Sequence, residues 1–502
     1  MKPDRRQFLS AALVGLTQKG GAPIGGGFVN EGQIVGHRLR DRVPFPPPKE
    51  ERRAAVVIVG GGIAGLSAGW QLARRGFTDF VILEMEPEVG GTARSGRNDV
   101  SAFPWGAHYV PIPGPEAGLV RELFTDLGVF DGTQWDERHL VHAPDERLFL
   151  HGRWQEGLEP TIGTTRRDHE QMRRFVDRVT ALRASGRFTI PMAAGTDGRP
   201  TPPEDALSMS AWLAREGFDS PMLRWQVDYA CRDDYGGLPS EVSAWAGLLY
   251  YAARDASDTG PLTWPEGNCW IVARLLERLA RHVHTSQVTY RVAREGQRWR
   301  VLTPGVAWIA DAVIVAAPTF IATRIVEGAP QVRLTSSPWL VANVTLDRWP
   351  SERGFPMAWD NVLYDSPALG YVVSTHQWLR RHIPRTVWTY YWALAHQPAV
   401  DARRWLLAQE WSTLRDRVLD DLARAHPDIR DCVRRVDIMR HGHAMIRPVP
   451  GLLSDPAWQA LRRGHDRLFY AHADLSGLPL FEEAQYRGVL AADRAMAALS
   501  GR

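Results

Sequence analysis

A strand running directly into a glycine turn and a helix is the feature that most restricts this chain. Ala54-Ala55-Val56-Val57-Ile58-Val59 is a continuous apolar run rich in β-branched residues, the pattern of a parallel strand covered on both faces. Gly60-Gly61-Gly62-Ile63-Ala64-Gly65 follows at once in G-x-G-x-x-G spacing, and Leu66 to Arg75 has helical character until Gly76 stops it. In such a unit Gly60 permits the tight turn, Gly62 lets the backbone approach a pyrophosphate, and Gly65 lets the helix pack on the strand. The turn through Ile63 and Ala64 aims free N–H groups and the positive end of the helix dipole at an anion. A second strand, Phe80-Val81-Ile82-Leu83, ends in Glu84, nineteen residues after Gly65. A carboxylate there takes ribose hydroxyls and disfavours a 2′-phosphate. Strand, turn, helix, strand and acid in this order predict a dinucleotide-binding α/β domain.

A chain of 502 residues exceeds what one core organises, so a second domain is expected. A net charge of +3, with basic residues scattered along the chain, argues against nucleic acid as a partner. The three cysteines, Cys231, Cys269 and Cys432, have neither zinc-site nor disulfide spacing, so no metal is expected. No apolar run is long enough to span a bilayer. The only lysines are Lys2, Lys19 and Lys49. At the start, Asp4-Arg5-Arg6-Gln7-Phe8-Leu9 and the apolar run after it resemble a twin-arginine export signal. This assigns residues 1–30 to a signal and the protein to the periplasm or another exported location; a cytoplasmic protein with a basic N-terminus is the alternative. Residues 31–52, ending in Pro46-Pro47-Pro48, read as a linker or arm.

Further on, Gly90-Gly91-Thr92-Ala93-Arg94-Ser95 resembles the second flavin-binding segment of the flavin amine oxidase and phytoene desaturase superfamily. Pro104-Trp105-Gly106-Ala107-His108-Tyr109 resembles the segment that in this family passes beside the isoalloxazine ring. Gly90, Gly91 and Gly106 read as points where backbone must approach a ligand closely. The resemblance resumes at Leu262 to Asn268, a loop before a helix from Trp270 to His282. A hairpin of Gln287 to Ala293 and Trp299 to Leu302 follows, with Val288 where relatives contact the adenine, and then a buried strand, Ala312 to Ala317. Leu468 to Asp474 resembles the strand whose closing acid, Asp474, meets the ribityl or pyrophosphate part of FAD. Ala484 lies in the first turn of a helix from Glu482 to Leu499, whose N-terminus relatives point at the flavin. The resemblance therefore implies an α/β protein with a discontinuous Rossmann-like FAD domain (53–130, 262–320 and 466–502) and an α+β substrate domain (131–261 and 321–465). It also implies FAD held non-covalently, since no cysteine follows Cys432 into the final segment.

The expected activity is oxidation of an amine C–N bond by hydride transfer to flavin. The alternatives are a desaturase or dehydrogenase of an apolar substrate of the phytoene or protoporphyrinogen type, and a non-catalytic binding protein on the same fold. Many amine oxidases hold a water with a lysine, and no lysine lies beyond Lys49. This leaves the catalytic residues unassigned and favours a quinone or cytochrome over oxygen as electron acceptor. Candidates to contact a small-molecule substrate are Asp233 and Asp234, Trp264, Trp388 and Tyr390 on one strand face, and His443. The paired carboxylates suit a cation but equally suit ion pairs or helix caps, and an aromatic strand face also suits a plain core.

Overall fold

A computed structural model of the chain describes residues 23–29, 33–254 and 260–501. The apolar run at residue 54 forms the end of strand Glu50–Val59, flanked in parallel by Phe80–Leu83 and by Val306–Val315. Val283–His284 extends the sheet at one edge and Leu468–Tyr470 pairs with the C-terminal half of Val306–Val315, again in parallel. Val56, Val57, Ile58 and Val313 to Val315 are all fully buried, which is why these strands carry no alternation. The N-terminal half of Val306–Val315 instead closes an antiparallel hairpin series with Arg298–Thr303 and Arg291–Glu295. The expected hairpin thus has a third member, and its first strand starts at Arg291, leaving Val288 in the extended segment before it.

Two helices cover one face of this sheet. Ile63–Arg74 follows the glycine turn, and the final helix, Phe481–Ser500, lies against it so closely that a Cβ on Gly488 would stand 2.2 Å from the carbonyl oxygen of Ala64. Cys269–Leu279 is a third helix beside them.

A second sheet has eight strands, in the order Gly25–Val29, Val433–Arg447, Thr335–Leu346, Thr386–Ala393, Gly370–Val373, Asp360–Leu363, Glu146–Leu150 and Arg153–Glu156. Helices Ala399–Ala408 and Trp411–Ala423 cover one face around Leu406, Leu414 and Trp388. A helical layer, including Arg166–Ala184, Pro221–Tyr235 and Ala244–Ala252, packs around Trp212 and Trp245. Ser220 caps Pro221–Tyr235 at its start, and Gly236, at φ +59°, ends it in the left-handed conformation.

The N-terminal region differs from its expectation. Arg5 and Arg6 lie outside the described residues. Gly25–Val29, placed within the expected signal, is instead the edge strand of the second sheet, paired in parallel with Val433–Arg447. Gly26, at φ +129°, has no room for a side chain against Val436, so this glycine-rich stretch serves close strand pairing and not only flexibility. Within the expected linker, Gln33–Arg40 is a helix and the first sheet begins at Glu50. Among the described residues no helix is long and apolar enough to cross a membrane, and no cluster of ligating side chains could hold a metal ion.

Candidate active site

The glycine turn sits at the carboxyl end of Glu50–Val59. Gly60 has φ +108°, and a Cβ there would strike Ala316. A Cβ on Gly65 would lie 1.9 Å from the carbonyl oxygen of Gly60, so Gly65 is what allows the helix to start against the strand. Gly62 is different: no atom beyond its own chain neighbours lies within 4 Å of where its Cβ would be, and it starts the helix with no side-chain cap. The N–H groups at Ile63 and Ala64 therefore face an open cradle of the kind a diphosphate fills. Glu84 closes that cradle. One oxygen accepts from Gly61 N at 2.7 Å and the other from Glu86 N at 2.8 Å, while burial raises its pKa. Its remaining lone pairs can accept ribose hydroxyls. Gln287 N donates to Glu84 O at 2.7 Å, which brings the next residue, Val288, to the same end of the sheet.

Gly90 and Gly91 have φ of +120° and +56°, and Gly90 N donates to Gly61 O at 2.8 Å, so the second glycine segment docks onto the first. At Gly106 a Cβ would meet Thr92 O at 2.4 Å, so packing against the Thr92 turn by itself calls for a glycine there. Arg94 bonds Gly91 O at 3.3 Å and lies 3.7 Å from Glu86. Trp105 is buried, and its carbonyl accepts from His441 Nε2 at 2.7 Å. Asp474 is buried at the end of Leu468–Tyr470, accepting from Thr319 N at 2.8 Å. Ala484 sits in the first turn of the final helix, its N–H bonded to Leu480 O.

Thr92, Gly106, Ala107 and His108 also form part of the wall of a cavity of about 710 Å³. Aromatic rings make up much of the remainder: Tyr109, Tyr229, Tyr250, Trp359, Tyr391 and Phe481. His108 stacks on Tyr391 at 4.5 Å, and Tyr391 Oη donates to Gly106 O at 2.9 Å, tying the second sheet to the cofactor segment. Burial lowers the His108 pKa to about 4 and also lowers that of His441, so both imidazoles are neutral at pH 7.

The wall is acidic. Asp145, Glu146, Glu156, Asp233, Asp234, Asp360 and Glu482 line it, with Arg254 as the single arginine among the described residues. Arg254 is held by Asp234 at 2.7 Å. Asp360 and Glu146 lie directly opposite each other on paired parallel strands, and Tyr229 Oη donates to Asp360 at 3.5 Å. Burial, with the neighbouring Asp234, raises Asp233 to about 7; burial, with Glu146 and Asp233, pushes Asp360 well up. Burial likewise raises Glu482 to about 7, and its Oε2 has no hydrogen-bond partner. Seven carboxyl groups enclosed with a single guanidinium, already paired with Asp234, are poised to release protons when a cation arrives.

Of the substrate candidates, the structure places Asp233 and Asp234 in this wall, while Arg232 turns away to Asp228 and to the carbonyls of Pro367 and Ala368. The others stand elsewhere. Trp388 stacks on Tyr371 at 4.1 Å in the core beneath the sheet, and Tyr390 Oη bonds Asp421 at 2.8 Å. The alternation of that strand was legible but not its orientation, because both faces are apolar; the facing residue is Tyr391. Trp264 stacks on Trp270 at 4.7 Å and donates to His139. His443 lies in an irregular stretch of Val433–Arg447, between the pairs His441↔Trp339 and Met445↔Ser337, and stacks on Phe320 at 4.1 Å. His441, Ala444 and Met445 face the cavity in its place. Asp360, Glu146, Trp359 and Glu482 had no sequence signal, since strand pairing and helix placement alone assemble them.

The architecture is a mixed α/β fold with a Rossmann-like domain. Residues 58–127 match the family model for an NAD(P)-binding Rossmann-like domain. Among solved structures the chain is similar to putrescine oxidase bound to putrescine, at 16% identity and TM-score 0.66, covering 89% of this chain and 100% of the other. It is similar at 16% identity and TM-score 0.67 to cyclohexylamine oxidase from Brevibacterium oxydans IH-35A, covering 89% and 99%. It also matches a fatty acid isomerase from P. acnes, at 17% identity and TM-score 0.63, covering 88% and 98%. Among curated proteins none matches.

Proposed function

We propose that the chain is an FAD-dependent oxidoreductase acting on a cationic amine. One observation carries this reading: residues of the expected flavin segments, Thr92, Gly106, Ala107 and His108, and seven carboxyl groups balanced by a single arginine, Arg254, wall the same cavity. The open cradle at Gly62 fits a diphosphate, and Glu84 and Asp474 are buried acceptors at the carboxyl ends of their strands. These residues, with Gly90 to Thr92, Arg94, Trp105, Val288 and Ala484, would hold FAD, and the three free cysteines give no reason to expect a covalent link. Bound there, FAD would supply a two-electron acceptor for the hydride on the carbon that bears nitrogen, once the ammonium has given a proton to a wall carboxylate.

The protein's own part is binding and orientation. Asp233, Asp360 and Glu146 attract the ammonium, Tyr229, Tyr391 and Trp359 offer it aromatic rings, and apolar wall residues such as Leu369, Val372 and Leu480 exclude water. Neutral His108 and His441 add no positive charge that would repel it. An apolar polyene would have to bury these carboxyl groups without compensation, which costs several kcal/mol; the fold shared with an isomerase does not by itself select a chemistry. Anaerobic bleaching of the flavin by members of an amine panel, and not by apolar polyenes, tests the reading; bleaching by polyenes alone overturns it.

Export is part of the same proposal. The strand at Gly25–Val29 belongs to the folded sheet, so a removable signal would end before it. Replacing Arg5 and Arg6 by lysine should keep the protein in the cytoplasm, and unchanged fractionation would count against export.

A further inference from the structure

A second cleft shares no lining residue with the acidic cavity. It measures about 390 Å³ and lies between helix Met192–Thr196 with its following turn, helix Pro456–Arg463 and the final helix. Five arginines line it, Arg199, Arg462, Arg463, Arg487 and Arg494, against one carboxylate among the described residues, Asp197. Arg487 and Arg494 are two turns apart on the final helix and so share its face.

Two of the arginines, Arg462 and Arg487, are poorly satisfied. Arg487 is only 4% exposed, yet its Nε meets Ser476 Oγ at 2.9 Å and its Nη2 has Met192 Sδ, a weak acceptor, at 3.5 Å. Burial, together with the positive charge of Arg462, pulls its pKa down to about 10. Arg462 gives one nitrogen to Asp197 at 2.7 Å, and its buried Nε has no partner. The Glu483 charge favours the Arg487 cation, but no hydrogen bond joins the two: one Glu483 oxygen accepts from Met192 N at 2.5 Å and the other has no partner. Guanidinium groups crowded at partial burial repel one another, and a buried donor without an acceptor is destabilising until a ligand satisfies it.

We propose that this cleft binds a small multivalent anion, a diphosphate or a polycarboxylate, held by Arg462, Arg487 and Arg494 and bridging the Met192 segment to the final helix. Guanidinium forks match both oxyanions in geometry. The volume is near the lower end of small-molecule sites, about 300–1,000 Å³, which favours a compact ligand over a polymer.

The test is calorimetric titration of the flavin-loaded protein with sodium pyrophosphate and, separately, sodium citrate, at ionic strength matched with sodium chloride. Saturable binding accompanied by a rise in Tm is expected. Pyrophosphate alone would identify a phosphoryl ligand, and citrate alone a carboxylate ligand. Arg463 and Arg494 are exposed, so the double variant Arg463→Gln/Arg494→Gln should fold with wild-type Tm and bind about tenfold more weakly or worse, the loss of at least one charge-assisted bond. No saturable binding of either anion, or equal affinity in the variant, overturns the proposal. So does capture of a polyglutamate peptide with neither small anion bound, which would assign the cleft to an acidic protein partner.

Discussion

At the scale of single residues, Asp233 joins the sequence to the site most directly. Its carboxyl titrates near 7, above the ordinary 3.8, because burial and neighbouring Asp234 disfavour its charge. Between about pH 4 and 7 the folded protein therefore holds protons that the unfolded chain has released, so this group's contribution to stability falls as pH rises through that window. A bound ammonium reverses the preference and expels protons. Titration of an amine substrate near pH 7, in buffers of different ionisation enthalpy, should show net proton release; binding with none would remove the carboxyls from recognition. Asp233→Asn should raise KM for the amine about tenfold or more, the loss of a bond to a charged group, and make KM less dependent on pH between 6 and 8. An unchanged KM would shift recognition to Asp360 and Glu146.

At the scale of elements, two contrasts separate packing from binding. Gly62 and Gly65 belong to one turn, but a side chain at Gly62 meets open space and one at Gly65 meets Gly60 O. Gly62→Val is expected to fold and lose flavin, whereas Gly65→Val is expected to lose the fold; full flavin content in a folded Gly62→Val would refute the cradle. On strand Thr386–Ala393, Trp388 faces the core and Tyr391 the cavity. Trp388→Ala should cost about 3–5 kcal/mol in denaturant unfolding with little change in KM for protein that remains folded. Tyr391→Phe, which removes the bond to Gly106 O, should cost about 1 kcal/mol and alter flavin absorbance. The opposite pattern would mean the strand's faces are reversed.

At the scale of the whole molecule, the cavity is walled by the second sheet together with the Thr92 turn, the segment 106–109 and the start of the final helix, and its chemistry depends on what each brings. None of its wall residues is a lysine, and Lys49 stands just before the first sheet, its backbone N–H donating to Gly305 O at 2.8 Å. A chain without that device should be reoxidised slowly by oxygen and faster by a soluble quinone analogue. Stopped-flow reoxidation after anaerobic reduction measures both rates. Oxygen matching turnover, with no gain from quinone, would restore a simple oxidase.

The sequence by itself determined the parts whose physics is local. An apolar run, a glycine turn and a closing acid within about thirty residues specify the strand, the positive φ and the helix N-terminus that make a nucleotide cradle, and Gly236 marks a helix end by the same local rule. The adjacent Asp233-Asp234 pair was equally visible. Tertiary structure decided everything that depends on which distant segment comes alongside. Period-two alternation on Thr386–Ala393 names two faces but cannot say which one looks into the cavity when both are apolar. Asp360 and Glu146 become neighbours only through parallel strand pairing across more than two hundred residues. Gly106 is a glycine because Thr92 lies against it, and Gly25–Val29 becomes a strand only because Val433–Arg447 offers an edge. The turn could be read along the chain; the acidic cavity exists only once the chain is folded.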